Sequence, residues 1–323
     1  MEPRQHKLGI VTGEKGSGKS NTTLGTILDI NRGNISIGLP PRNVLIIDVN
    51  NEYGEFKHFS NHYKPVTGFD FQTYKIKAIG VKHMGWMSEH KVAMVRRLVM
   101  LREDGTKMSI EELQDHLYYV LQTFGNGVLM IEDINKYTTH SFSNEMIGAI
   151  ISHRHSNVDA IIQYQSIGKV NPTLWQNMNW LRMHRDGDSA RRIMARIPEI
   201  HQYIQLAQEI INKKFREGEK RTFVYYNKDE MVVKGLFDED EAREAVMKVI
   251  SINQSQLLKP LVEQMDLKGN KIYTKEEAIL QLMNQYMEEN MRPLLRTQKQ
   301  EQEAIAAMKK AELKMAAEKG GKV

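Results

Sequence analysis

The chain has 323 residues, of which 41% are hydrophobic and 26% are charged, and its formal net charge is +5. That length allows one large domain or two modest ones, and the basic excess fits a nucleic-acid partner without requiring one. The absence of cysteine excludes disulfides, thiolate metal sites and cysteine nucleophiles. No apolar run approaches the roughly 20 residues that span a bilayer, and residues 1–7 lack the apolar stretch of a secretory signal. We therefore expect a cytoplasmic protein without a membrane partner.

Apolar runs of strand length recur with helical segments between them, which is the pattern of an α/β fold with a parallel sheet. Near-continuous apolar character is typical of strands that are buried on both faces. The five runs cover residues 8–12, 44–47, 128–131, 158–163 and 180–184.

Two helices are predicted between the second and third runs, over residues 88–102 and 109–124. The second opens with Ser109 and has Glu112 three residues later, which is a capping-box pattern. Further along, residues 222–226 and 231–235 are predicted to form the two strands of a hairpin, with a polar turn between them.

The segment after the first run matches every fixed position of the phosphate-binding pattern G-x-x-x-x-G-K-[ST]. Its residues are Gly13, Glu14, Lys15, Gly16, Ser17, Gly18, Lys19 and Ser20. Glycines let backbone N–H groups surround an anion, and a helix starting near Lys19 adds the positive end of its dipole. We expect this loop, with Asn21 after it, to bind a nucleoside triphosphate. Lys19 would reach the β- and γ-phosphates, and the Ser20 hydroxyl would bind Mg²⁺.

Acidic residues end the second and third apolar runs. Mg²⁺ needs an oxygen ligand beside the triphosphate, directly or through water, and either Asp48 or the pair Glu132 and Asp133 could supply it. The pair is the better candidate, because hydrolysis also needs a group that orients the attacking water. By position Glu132 serves the metal and Asp133 the water, although the assignment could shift by one residue. Adjacent acids at a strand end could instead cap a helix.

The composition changes after residue 237. Apolar residues then recur at helical spacing, interrupted by Pro293. They are Ile279, Leu282, Met283, Tyr286, Met287, Met291, Leu294 and Leu295. Beyond residue 296 the chain is rich in Ala, Lys, Glu and Gln, which predicts a solvated helix or a docking or nucleic-acid-binding arm. We expect a nucleotide-binding domain over residues 1–237, a helical segment over 238–296 and a helical tail over 297–323.

Several further motifs follow the phosphate loop in a set order. They are Asp48-Val49-Asn50-Asn51-Glu52-Tyr53, then Glu132-Asp133, then Ser152-His153-Arg154-His155, then Ala160-Ile161-Ile162-Gln163-Tyr164-Gln165-Ser166. This order resembles the FtsK–HerA superfamily of DNA-pumping ATPases over residues 8–235, with Asn51 where that family usually has glycine. The resemblance implies a P-loop NTPase fold of the ASCE type, with helices flanking a mostly parallel sheet of order 5-1-4-3-2. It also implies ATP and Mg²⁺ as cofactors.

The resemblance implies roles for residues outside the loop. Gln165, after the fourth run, matches the family's polar sensor of the γ-phosphate, with Gln163 as the alternative. Arg154 falls where the family places an arginine that reaches a neighbouring subunit's nucleotide, and Arg185 competes for that role. Arg154 could also be an ordinary surface arginine. An arginine acting across an interface implies a ring homo-oligomer, expected to be a hexamer, with DNA as its substrate.

HerA proteins usually carry a β-barrel before the ATPase, whereas here the phosphate loop begins at residue 13. The layout looks more like viral or phage genome-packaging ATPases, which implies a capsid or portal-vertex partner and a place in the host cytoplasm or the virion. Basic residues could contact DNA phosphates, or could simply be solvated. They are Arg96, Arg97, Arg102, Lys169, Arg191 and Arg192. The alternatives are a HerA-like or conjugative DNA-transfer ATPase, a Zot-like assembly ATPase, and a small-molecule kinase.

Overall fold

The structure is a computed structural model that describes residues 7–34, 36, 38–59, 71–134, 144–152 and 156–295. The predicted tail and Arg154 lie outside these residues. Within them, the strands are β1 (Leu8–Thr12), β2 (Asn43–Asp48), β3 (Glu55–Phe59), β4 (Phe71–Lys75), β5 (Val95–Val99), β6 (Gly127–Ile131), β7 (Val158–Gln163), β8 (Trp180–His184), β9 (Phe223–Asn227), β10 (Val232–Gly235) and β11 (Met291–Pro293).

The α-helices of the same residues alternate with the strands over much of the chain. They are α1 (Lys19–Arg32), α2 (Met84–Glu89), α3 (Ile110–Thr123), α4 (Asn144–Ser152), α5 (Pro172–Asn177), α6 (His201–Arg216), α7 (Glu239–Ile252), α8 (Lys259–Val262) and α9 (Lys275–Gln285). The predicted capping box is present at α3, where Ser109 Oγ accepts from the Glu112 N–H and the Glu112 carboxylate accepts from the Ser109 N–H.

One sheet organises the chain, in the order β11-β10-β9-β8-β1-β7-β6-β2-β5. The five predicted runs correspond to β1, β2, β6, β7 and β8, so their predicted order 5-1-4-3-2 is confirmed. These five strands and β5 are parallel to their neighbours within the group. The predicted hairpin is also confirmed, because β9 and β10 pair antiparallel beside β8. The carboxyl ends of the parallel strands therefore meet at one edge of the sheet.

Helices cover both faces of the sheet. On one face, Val11, Ile46 and Met130 pack with Leu24 of α1. On the other, strand residues such as Leu181 form a larger cluster with residues of α2 to α7 and α9. Side chains alternate between the two faces along a strand. The position of a residue in its strand therefore decides whether its side chain lies on the α1 face or on the opposite face.

The prediction of a helix over residues 88–102 is wrong. Helix α2 ends at Glu89, and β5 then pairs with β2 in parallel register, with Arg97 opposite Ile46. The buried Asp48 at the end of β2 favours the strand conformation of β5, because it makes an ion pair with the Arg97 guanidinium. Local sequence favoured a helix there, and pairing with the sheet overrides that preference.

The helical stripe predicted between residues 279 and 295 is correct only in its first part. Helix α9 ends at Gln285, and a π-helical turn (Tyr286–Asn290) leads into β11 beside β10. Pro293 cannot supply a helical N–H, and the N–H of Leu294 bonds to the Gly235 carbonyl instead. Apolar residues of this segment, such as Leu282, lie in the same hydrophobic cluster as Leu181 of β8.

None of the described helices has the length and apolar character that crossing a membrane requires.

Candidate nucleotide-binding site

The phosphate-loop residues connect β1 to the start of α1 at the carboxyl edge of the sheet. Gly18 caps the helix with a φ of 91°, in the left-handed region that favours glycine. Gly13 has a φ of 145°, and a Cβ there would lie 2.7 Å from His184 Cβ and 2.8 Å from the Arg185 carbonyl oxygen. Both positions favour glycine for their conformation, and Gly13 also needs it because β8 and the residue after it approach so closely.

Lys19 is folded back onto the loop. Its Nζ donates to the Gly13 carbonyl at 2.5 Å and to the Glu14 carbonyl at 2.9 Å, and the side chain is 8% exposed. Burial lowers the pKa of Lys19, while the negative charges of Asp133, Asp186 and other acids oppose that shift. The ammonium thus sits among acceptors that a phosphate oxygen could replace.

Two further contacts fix the loop to β8 and to the segment after it. The Glu14 N–H bonds to the Arg185 carbonyl at 2.7 Å, and the Glu14 carboxylate pairs with the Arg185 guanidinium at 2.9 Å. His184 Nδ1 lies 3.1 Å from the Ser17 carbonyl oxygen. Arg185 also stacks on the Phe215 ring, with Cζ 3.3 Å from its centroid. Arg185 is therefore engaged beside the phosphate loop of its own chain.

The acidic pair follows β6 at the same edge. Glu132 is 3% exposed, and its Oε1 accepts a hydrogen bond of 2.8 Å from the Tyr53 hydroxyl. Its Oε2 is buried without a hydrogen-bond partner among the described residues. Burial raises the pKa of Glu132 to about 8. A free, buried carboxyl oxygen is the kind of group that a cation or a proton satisfies.

Asp133 differs from its neighbour in exposure and in conformation. Its φ of 42° is in the left-handed region, and its side chain is only half-buried. Asp133 Oδ2 lies 3.4 Å from Asn50 Nδ2 and 3.5 Å from Gln165 Nε2. The structure therefore brings the second acid of the pair and the predicted sensor Gln165 together.

The alternative sensor, Gln163, is the last residue of β7. It is 1% exposed, and its Nε2 has no hydrogen-bond partner within the described part of the chain. Ile161, two residues earlier, packs on the α1 face, so alternation directs Gln163 to that face as well. Gln165 is exposed by contrast.

The donors present fit Mg²⁺ bound together with a triphosphate. Among the described residues there is no group of three His, Cys, Asp or Glu side chains that could hold a metal ion alone. Mg²⁺ commonly takes one or two protein oxygens and completes its shell with phosphate and water. The Ser20 hydroxyl and Glu132 Oε2 are such oxygens.

Asp48 has other contacts. Its Oδ1 accepts from the Glu52 N–H at 2.9 Å, while its Oδ2 accepts from the Tyr53 N–H at 3.1 Å and from Arg97 at 2.9 Å. The carboxylate is fully buried. Through these bonds Asp48 holds the chain after β2. Because both of its oxygens already accept hydrogen bonds, the alternative prediction of Asp48 as a metal ligand is disfavoured.

Sequence reasoning missed three buried polar residues near the loop: Arg182, His184 and Asp186. Arg182 is fully buried on β8 and donates to the hydroxyls of Thr23 and Thr26 on α1. Asp186 accepts from the Ile167 N–H at 2.8 Å, and burial raises its pKa to about 6. These three residues stand at every second position along β8 and just beyond it. That alternation was visible in the sequence, but the apolar residues between them made the whole run look like core.

The strand order and the glycine loop together define a P-loop NTPase fold. No protein-family model matches the chain, and no curated protein matches it. Among solved structures, the chain is similar to the genome packaging NTPase B204 from Sulfolobus turreted icosahedral virus 2. With AMP bound, that structure has a TM-score of 0.43 at 15% identity, covering 72% of this chain and 98% of that one. With ATP-gammaS bound, the TM-score is 0.44 at 15% identity, with coverage of 72% and 96%.

A further similarity is to the N-terminal domain of zonular occludens toxin from Neisseria meningitidis. Its TM-score is 0.29 at 10% identity, covering 56% of this chain and 77% of that one. The fold assignment itself rests on the strand order and the loop geometry described above.

Proposed function

We propose that this protein hydrolyses ATP at the loop formed by residues 13–21. One observation carries the proposal: the buried Lys19 ammonium lies within electrostatic reach of Glu132 and Asp133, which follow β6 at the same edge of the sheet. A phosphate-binding cation and a pair of carboxylates on one edge are the parts that phosphoanhydride hydrolysis needs.

In this proposal the loop N–H groups and α1 hold the phosphates, and Lys19 exchanges the Gly13 and Glu14 carbonyls for phosphate oxygens, which are charged acceptors. Ser20 and Glu132 hold Mg²⁺, which neutralises charge on the phosphates when it is bound. Asp133 orients the attacking water. Gln165 contacts Asp133 and senses the γ-phosphate.

We further propose that hydrolysis drives DNA translocation in a ring of subunits, as in genome packaging, with Arg154 acting on a neighbour's nucleotide. The motif order and the basic net charge support this. The proposed motor is the domain over residues 1–237, with the segment 238–296 and the tail 297–323 attached to it. Capsid or portal-vertex protein would be the partner of such a motor. A HerA-like, conjugative or Zot-like ATPase is the alternative.

Exposed basic residues on the loops after β7 and β8 support the DNA-binding part of the proposal. They are Lys169, Arg191, Arg192 and Arg196. The same loops are bonded to each other through the side chains of Asp186 and Asp188, which accept from Ile167 N–H and from the Ser166 hydroxyl respectively. Asp186 also acts electrostatically on Lys19. Asp186 therefore acts electrostatically on the phosphate site and also holds one of the loops that carry the basic surface.

The test compares Lys19→Ala with Lys268→Ala, an exposed lysine in the loop between α8 and α9. Removing one charged phosphate contact should lower the hydrolysis rate roughly hundredfold or more, while Lys268→Ala should keep the rate of the unchanged protein. Phosphate release and the binding of a fluorescent ATP analogue are measured for both. Equal hydrolysis by the two variants would refute the proposed site.

A further inference from the structure

The residues after β2 form a loop that is fixed at two points. The Asp48 carboxylate accepts the backbone N–H groups of Glu52 and Tyr53, and it pairs with Arg97 of β5. Asn51 turns the chain with a φ of 56°, and its Oδ1 accepts from Arg97 at 2.5 Å. Because this loop is tied to two adjacent strands, the direction in which it presents Tyr53 is set by the sheet itself.

Tyr53 is directed into the nucleotide site. It is 2% exposed, and its ring packs on the α1 face of the sheet with Ile46 and Met130. Its hydroxyl donates to Glu132 Oε1 at 2.8 Å, and the Ser20 side chain lies close enough to act on the pKa of the same hydroxyl. The oxygens that the proposed function gives to Mg²⁺ come from separate segments of the chain, and the Tyr53 hydroxyl holds the one from Glu132 by a direct hydrogen bond.

The position of the bond on Glu132 is informative. Tyr53 occupies Oε1 and leaves Oε2 as the oxygen without a hydrogen-bond partner among the described residues. A carboxylate held through one oxygen has its rotation restricted, so its other oxygen is presented in one direction. An ordinary core tyrosine would satisfy its hydroxyl on any nearby carbonyl, whereas this one bonds a candidate metal ligand.

We propose that Tyr53 is a positioning residue that orients Glu132 for the Mg²⁺–nucleotide complex. This inference rests on the proposed function of the site. It also gives a physical role to the sequence from Asp48 to Tyr53: Asp48 and Arg97 hold the loop, and the loop delivers the tyrosine hydroxyl. Tyr53 itself does not touch the nucleotide in this account.

The test is Tyr53→Phe, which removes the hydroxyl and keeps the ring. The matched control is Tyr226→Phe, a buried tyrosine of β9 whose hydroxyl has no hydrogen-bond partner among the described residues. Binding of a fluorescent, non-hydrolysable ATP analogue to the full chain is titrated with MgCl₂ and, separately, in EDTA. This readout does not depend on turnover.

For Tyr53→Phe we expect unchanged analogue binding in EDTA and a half-saturating Mg²⁺ concentration raised roughly tenfold to hundredfold, the size of one lost hydrogen bond to a charged group. Tyr226→Phe should match the unchanged protein. Arg97→Met, which releases the loop from outside the site, should shift the Mg²⁺ midpoint in the same direction, and it carries the test if Tyr53→Phe does not fold.

An unchanged Mg²⁺ midpoint in a folded Tyr53→Phe protein would overturn the positioning role and leave the proposed ATPase intact. If the unchanged protein binds the analogue without any dependence on Mg²⁺, the assignment of Ser20 and Glu132 falls, and the positioning role falls with it. The two failures are therefore distinguishable.

Discussion

Arg185 Nε lies 2.9 Å from Glu14 Oε1, so a residue after β8 neutralises an acid within the phosphate loop itself. Both side chains are partly exposed, at 34% and 43%, and such pairs contribute at most about 1 kcal/mol to stability. Their importance lies in position, because an unpaired carboxylate at Glu14 would repel the phosphates that the loop binds.

Arg185→Ala should therefore weaken ATP binding a few-fold, in keeping with that ceiling of about 1 kcal/mol. Adding Glu14→Gln to this variant should restore most of the affinity, since the charge that repels the nucleotide is then gone. Isothermal titration calorimetry on the two single variants and the double variant completes the cycle. A double variant as weak as Arg185→Ala would mean that Arg185 acts by some route other than neutralising Glu14.

The two candidate arginine fingers should behave differently when subunits are mixed. Arg154→Ala subunits combined with Lys19→Ala subunits should recover part of the hydrolysis, because a mixed interface in one orientation pairs the intact loop of the first with the intact arginine of the second. The same mixture made with Arg185→Ala should recover little, since Arg185 already pairs with the Glu14 of its own chain. Recovery with Arg185→Ala and none with Arg154→Ala would reverse the assignment.

The buried Nε2 of Gln163, which has no hydrogen-bond partner among the described residues, predicts opposite effects of its removal on stability and on activity. Leaving such a group unsatisfied costs about 1–3 kcal/mol, so Gln163→Leu, of similar size, should raise the melting temperature. If the amide is kept because it serves the nucleotide, hydrolysis should fall in the same variant. Differential scanning calorimetry and phosphate release measure the two effects. A lower melting temperature would show that the amide is satisfied in the folded protein.

His184 makes the stability of the protein depend on pH. It is fully buried, and burial, followed by the charge of Arg182, holds the pKa of His184 well below its usual value. Below about pH 6.5 the unfolded chain therefore takes up a proton that the folded chain does not. The free energy of unfolding should fall with decreasing pH, by up to about 1.4 kcal/mol per pH unit from this residue.

The measurement is urea unfolding between pH 7.5 and pH 5.5, compared with His184→Asn. The asparagine can still donate to the Ser17 carbonyl and does not titrate, so its curve should fall less steeply below pH 6.5. Parallel curves for the two proteins would mean that His184 binds a proton in the folded state.

Much of the central sheet was readable from the sequence. Strands buried on both faces appear as unbroken apolar runs, and β1, β2, β6, β7 and β8 were located in this way. The phosphate loop was also readable, because glycines are required there by conformation and by contact. Gly13, for instance, has no room for a Cβ beside His184. The order of the strands came from family resemblance, since spacing along a chain does not specify which strands pair.

The sequence could not reveal β5 or the purpose of its arginines. Arg97 looks like a solvated charge until the fold places it against Asp48, and that ion pair joins residues 49 positions apart. Tyr53 was visible as part of a motif, but its bond to Glu132 spans 79 positions. Long-range pairs of this kind depend on the fold as a whole, so local pattern identifies the residues and leaves their roles open.

The rate of ATP hydrolysis with and without DNA is the decisive test of the proposed motor. Phosphate release is measured without nucleic acid, with single-stranded DNA and with double-stranded DNA, alongside Lys19→Ala as the inactive reference. For a DNA motor we expect that at least one form of DNA accelerates hydrolysis and that Lys19→Ala abolishes it. Hydrolysis that proceeds at one rate in all three conditions would contradict the proposed DNA motor.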